Sequence, residues 1–116
     1  MVRDRAFAGV DAAITWRPAT VLSARQFHTL AYTQVHFDFD GVAAHAGAAP
    51  HLGRSALDAV ELLNVGVNFL REHMPDSARV HYAITDAGGD SPNVVQSFAS
   101  VYYIVRSKTV ADMREL

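Results

Sequence analysis

The apolar period of this 116-residue chain changes from two to 3.6 across a loop of small residues, and that change limits what it can fold into. Before the loop, Val35, Phe37 and Phe39 alternate with Gln34, His36 and Asp38. Period two sends neighbouring side chains to opposite faces, so Phe27 to Phe39 is predicted to form a half-buried strand. After the loop, Ala56, Ala59, Val60, Leu63, Val67 and Leu70 recur at helical spacing. A helix is therefore predicted over residues 55–74, with Ser55 and Asp58 as its capping pattern and Pro75 as its stop. Asp58, Glu61, Asn64, Asn68, Arg71 and Glu72 are expected on its solvated side. Leu62, Val65 and Phe69 are expected to widen the buried arc. A buried large apolar side chain contributes about 1.5–3 kcal/mol, so a charge at Leu63 is expected to do more harm than one at Asn64. The intervening loop, GVAAHAGAAPHLG, carries Gly41, Gly47, Pro50 and Gly53, which exclude a long regular element.

Other segments complete the pattern. Residues 3–8 read as a helical turn, Ala12 to Trp16 as a short buried strand, and residues 17–25 as a connector after Pro18. Val80, Tyr82 and Ile84 are in phase within a strand over 79–85. After the turn-like AGGDSP, Ala99, Val101, Tyr103 and Val105 are in phase within a strand over 94–106. Thr109 and Asp112 cap a helix that starts at Val110. The order strand, helix, strand, strand, helix start is a split βαβ pattern without its last strand. The predicted fold is α+β: a two-layer sandwich with an antiparallel sheet and helices on one face.

Composition narrows the function classes. Apolar residues make up 50% and charged residues 19%, which describes a folded domain rather than a disordered chain. The net charge of -2 offers no global attraction for nucleic acid or an anionic membrane. With no Cys, there is no disulfide framework, thiolate nucleophile or Cys-based metal site. No long apolar run suggests a signal peptide or membrane span, so a cytoplasmic setting is expected.

The residues with chemical potential lie mostly in loops. His45 and His51 stand in the Gly-rich loop, either as exposed histidines or as ligands, but HExxH and HxD are absent. His36 and His81 alternate with core residues on strands and are expected to line a face, whereas His28 and His73 read as surface residues. Asn93 follows Ser91-Pro92, and Arg106 comes at the end of the following strand. They read either as a turn residue and a solvated strand end or as a carboxylate-binding pair, since Arg offers a planar fork and Asn an amide donor. Gly88-Gly89 lacks the rest of a phosphate loop. Trp16, Tyr102 and Tyr103 lack a basic patch for stacking on bases and are expected in core packing.

Taken together, residues 41–95 carry a more specific arrangement. Gly41, His45, Ala46, Pro50 and Gly53 precede an Ala-containing helix, then Gly-Gly, Asn93, Val94 and finally Arg106 at a strand end. This order resembles the lid or dimerisation domain of the aminoacylase and carboxypeptidase type of dinuclear metallopeptidases and amidohydrolases, and within it the aminobenzoyl-glutamate-utilization subgroup. The resemblance covers about residues 26–116. It makes residues 1–25 a segment from the end of a catalytic domain and 26–116 the lid, C-terminally truncated.

The resemblance implies a homodimer of a metal-dependent amidohydrolase, with the catalytic domain of the same protein and a small N-acyl amino acid-like substrate as partners. It implies His45 as a catalytic residue that stabilises an oxyanion, commonly in the partner subunit's site, and Asn93 and Arg106 as substrate-binding residues. Zn or Mn is implied for the full-length family member and no cofactor for this chain. Two departures stand out. The catalytic half, with its HxD and paired Glu, is absent, and Arg17 stands near a position where relatives place a metal-ligand His. Gln96 stands where relatives often have Pro. The expected function is thus a lid fragment that supplies binding and oxyanion-stabilising residues and is not hydrolytic alone. The other reading is a standalone α+β interaction or small-molecule-binding module, for which the lack of catalytic machinery is the best evidence. An unrelated metalloenzyme built on His45 and His51 is a third.

Overall fold

Strand β1, Ala31–Asp40, and strand β2, Arg79–Asp86, flank the central strand β3, Phe98–Ser107. The computed structural model describes residues 1, 3–24 and 28–116. Both pairings are antiparallel, with Val35 opposite Tyr103 in one and Tyr82 opposite Tyr103 in the other. A register shift between Ile84 and Asp86 bends the end of β2. Helix α1, Ala56–Leu70, and helix α2, Val110–Arg114, pack on one face of this sheet. The predicted α+β sandwich is therefore the observed architecture.

The helix ends follow the sequence signals. Ser55 Oγ accepts from Asp58 N at 3.1 Å, and Thr109 Oγ1 accepts from Asp112 N at 3.1 Å. Each bond satisfies one of the donors that a helix start leaves without an internal partner. Helix α1 ends at Leu70 rather than at Met74, and residues 71–73 continue as turns. The strand expected from Phe27 begins at Ala31 in the described part; residue 27 lies outside the described residues.

The core lies between α1 and the sheet. Ala56 and Val60 pack on Val80, Ala99, Val101 and Tyr103. The period-two reading of β3 is correct, because Ala99, Val101 and Tyr103 are all buried. Leu63 and Val67 are half-buried against the same cluster. They face a groove of about 780 Å³ between α1, β1 and α2.

Three sequence expectations are corrected. Asn64 is buried, not solvated, because it meets the hydroxyl of Tyr103 under the helix. Leu62, Val65 and Phe69 do not widen the buried arc: they are 73%, 49% and 70% exposed. The sheet covers one side of α1, and these three lie around the cylinder from it. Residues 12–16 are not a strand, since among the described residues no neighbouring strand supplies them with a ladder, and Ile14 and Trp16 are exposed. Trp16 consequently takes no part in the core. Residues 3–9 do form turns, including Ala8 N to Arg5 O at 2.9 Å.

The third predicted strand also starts later. Residues 94–97 leave the sheet and pair with the Gly-rich loop, through Val95 N to Ala44 O and Gly41 N to Ser97 O. That pairing builds the site.

Candidate functional site

The loop that carries His45 and the turn that carries Asn93 are joined backbone to backbone. His45 and Val94 form an isolated antiparallel bridge, and Ala46 N donates to Asn93 O at 2.8 Å. Val42 and Arg54 pair at the other end of the loop, with N–H to O bonds of 2.8 and 2.9 Å in the two directions. A 3₁₀ turn, Pro50–Leu52, lies within this closed loop. Proline is well suited to that first turn, where its missing N–H costs nothing.

Close approach of the backbones explains Gly41. A Cβ on Gly41 would stand 2.2 Å from Arg54 O and 2.7 Å from Gln96 O, so only glycine fits. Gly88 has φ +85°, a left-handed conformation, and its α-carbon packs against the Gln96 side chain. The segments around His45 and Asn93 thus converge on Gln96.

The His45 ring is oriented by its own loop. Its Nδ1 accepts from Gly47 N at 3.2 Å and from Ala48 N at 3.1 Å. An imidazole nitrogen that accepts is unprotonated, so the neutral ring carries its proton on Nε2. Nε2 has no hydrogen-bond partner among the described residues, and the residue is exposed. His45 therefore presents an N–H donor at the surface in a fixed tautomer. Asn93 is exposed beside it.

Arg106 stands elsewhere. It is at the opposite end of β3, where it pairs with Tyr32 and Arg79, whereas the His45 loop leaves the sheet at Phe98. Eight residue steps along the strand separate Phe98 from Arg106, about 26 Å at ~3.3 Å per step. Its guanidinium lies 5.3 Å from the Tyr32 ring centroid, a cation–π geometry. No carboxylate among the described residues lies within ion-pair distance of Arg106 or Arg79. Arg79 is partly occupied, donating to Asp76 O and Ala78 O. The structure thus brings His45 and Asn93 together and leaves Arg106 on the uncovered sheet face.

The remaining histidines do not join this site as a ligand set. His51 is exposed in the 3₁₀ turn, and His36 stacks on Tyr102 at 4.5 Å between ring centroids. Tyr102 is therefore on the uncovered face and Tyr103 in the core. Among the described residues, no three His, Asp or Glu side chains gather as they would to hold a metal ion. No helix among the described residues is long and apolar enough to cross a membrane.

Gln96 also meets the His45 loop from outside it: Ser55 Oγ donates to its Oε1 from 41 residues away. The sequence marked Gln96 only as a departure where relatives often have Pro, and nothing in a glutamine announces that contact.

The family model described as the peptidase dimerisation domain matches residues 30–116, and the chain belongs to that family. Over its whole length the chain is 52% identical to one of the subunits of p-aminobenzoyl-glutamate hydrolase from Escherichia coli (strain K12), of which it covers 24%. It is 29% identical to Xaa-Arg dipeptidase of Mus musculus, again over all 116 residues and 26% of that protein. The crystal structure of an aminobenzoyl-glutamate utilization protein from Klebsiella pneumoniae is similar, with a TM-score of 0.61 and 29% identity. That match covers 76% of this chain and 22% of the other. The chain thus spans about a quarter of the length of the curated relatives it matches.

Proposed function

We propose that this chain is the lid of a metal-dependent amidohydrolase that cleaves the amide of an N-acyl amino acid such as p-aminobenzoyl-glutamate. The observation that carries this reading is the fixed Nε2–H of His45, held beside Asn93. Amide hydrolysis develops negative charge on the carbonyl oxygen. A donor already aimed at that oxygen need not reorganise during the reaction, and that is where its catalytic value lies. Asn93 adds an amide donor for the substrate backbone or carboxylate. The names of the relatives support the substrate class, since aminobenzoyl-glutamate and Xaa-Arg dipeptides both carry an amide next to a carboxylate-bearing residue.

Hydrolysis also needs a metal, and among the described residues no side chains gather to hold one. Zinc or manganese would be held by residues outside it, and residues 1–25 would belong to the domain that holds them. Exposure of Ile14, Trp16 and Leu22 supports that assignment, because a folded chain rarely leaves so much apolar surface without a neighbour.

The whole protein would act as a homodimer. The outward Leu62, Val65 and Phe69 of α1 support this, as does the exposed edge of β2 with Tyr82 and Ile84. The separation of Arg106 from His45 gives the dimer a chemical purpose. One copy would offer His45 and Asn93 to a site where the other supplies Arg106 for the substrate carboxylate.

The test is His45→Ala in the protein that carries this segment with its metal-binding domain, assayed on p-aminobenzoyl-glutamate. The kcat should fall by about 10²–10³ with KM little changed, as for loss of one oxyanion donor. An unchanged kcat would overturn the reading.

A further inference from the structure

We propose that Gln96 is a positioning residue that sets His45 relative to Asn93, an inference that rests on the reading of His45 as the oxyanion donor. Gln96 lies at the crossing of three segments. Its Oε1 accepts from Ser55 Oγ at 2.9 Å, and Ser55 Oγ in turn accepts from Asp58 N. Its carbonyl oxygen accepts from Ala56 N at 2.9 Å. The same carbonyl bounds the space beside Gly41, and its Cβ and Cγ fill the space beside Gly88.

Each contact ties down one end of a functional loop. Gly41 is where the His45 loop leaves β1, and Ser55 is where that loop enters α1. Gly88 begins the turn that ends at Asn93. Two residues before Gln96, Val94 forms the bridge to His45, and Val95 N donates to Ala44 O. These backbone bonds join the two loops to each other. Gln96 then ties that joint to the rigid start of α1 at two points, its carbonyl oxygen and its side-chain amide. Ser55 can serve both partners at once, because a hydroxyl has one proton to donate and lone pairs left to accept. Without the amide, α1 keeps its cap and the loops keep their pairing. The Gln96 end of the joint then keeps one direct bond to the start of α1, Ala56 N to Gln96 O, while Gly41 N to Ser97 O and the Val42–Arg54 pair hold the loop ends, so the joint can shift about that bond. A displacement near 1 Å at a catalytic donor is enough to cost about a hundredfold in rate.

The experiment is a double-mutant cycle on kcat/KM for p-aminobenzoyl-glutamate, in the protein that carries this segment with its metal-binding domain. Gln96→Ala should lower kcat/KM by about tenfold to a hundredfold. Gln96→Glu keeps an oxygen to accept from Ser55 and should restore most of that loss. Gln96→Asn shortens the side chain and should behave like Gln96→Ala, which keeps the test alive if the alanine variant does not fold. In a His45→Ala background the Gln96 substitutions should cost no more than about twofold, because residues acting through one group are not additive. Equal losses in the presence and absence of His45, or no rescue by Gln96→Glu, would overturn the proposal. If His45→Ala alone leaves kcat/KM unchanged, the reading of His45 fails, and the role of Gln96 with it.

Discussion

Tyr103 donates its hydroxyl proton to Asn64 Oδ1 across the helix–sheet interface, and both residues are buried. Among the described residues, this is the one side-chain hydrogen bond between α1 and the central strand. A buried donor left without its acceptor costs about 1–3 kcal/mol, while removing both partners together can be nearly neutral. Asn64→Ala should therefore destabilise the domain by about 1–3 kcal/mol in urea unfolding. The pair Asn64→Leu with Tyr103→Phe should recover most of it. A double variant as unstable as the single one would show that the hydroxyl is not the source of the cost.

The same hydroxyl gives a pH dependence. Burial, and then the neighbouring Tyr82, push the Tyr103 phenol above its ordinary value. The unfolded chain loses this proton first, at about pH 10, so above that pH the folded state holds more protons than the unfolded one. The contribution is fully present below about pH 10 and is lost as pH rises through the folded value. Urea midpoints should thus fall above about pH 10, and Tyr103→Phe should flatten that fall. A parallel decline in the variant would assign it to other groups.

Two glycines should respond in opposite directions. Gly41→Ala puts a methyl 2.2 Å from Arg54 O, so the backbone must move, and stability should drop by about 2–4 kcal/mol. Gly66 is inside α1 with nothing within 4 Å of a new Cβ. Gly66→Ala should stabilise by about 0.5–1 kcal/mol through helix propensity alone. Thermal unfolding of the two variants checks both signs.

Leu62, Val65, Gly66 and Phe69 share the outward face of α1. If two copies meet there, Leu62→Glu with Phe69→Glu should abolish self-association in sedimentation equilibrium. Both side chains are exposed, so the monomer should unfold within about 0.5 kcal/mol of the parent. Unchanged association would show that copies of the chain do not meet on this face.

Local chemistry determined much of this protein in advance. Alternation at Val35–Phe39 and Ala99–Val105, the stripe from Ala56 to Val67, and the caps at Ser55 and Thr109 need only neighbours in sequence. The ordered motif from Gly41 to Arg106 carried the family as well. Partner choice across the chain was another matter. Residues 12–16 have strand-like composition, yet a strand exists only where another strand offers its N–H and C=O groups.

Only the tertiary structure decided how far round α1 the buried side extends, taking in Asn64 and leaving out Leu62. Leu62 and Asn64 are two positions apart, and no local rule says that the polar one goes inside. Asn64 goes in because Tyr103 arrives beneath it from 39 residues away and satisfies its amide oxygen. Tertiary structure likewise joined His45 to Asn93, put Arg106 at the far end of the sheet, and made Gln96 the common support of the His45 and Asn93 loops. The period of a sequence sets the direction of each side chain relative to its own element. What that side chain meets depends on register and loop closure, which are properties of the whole chain.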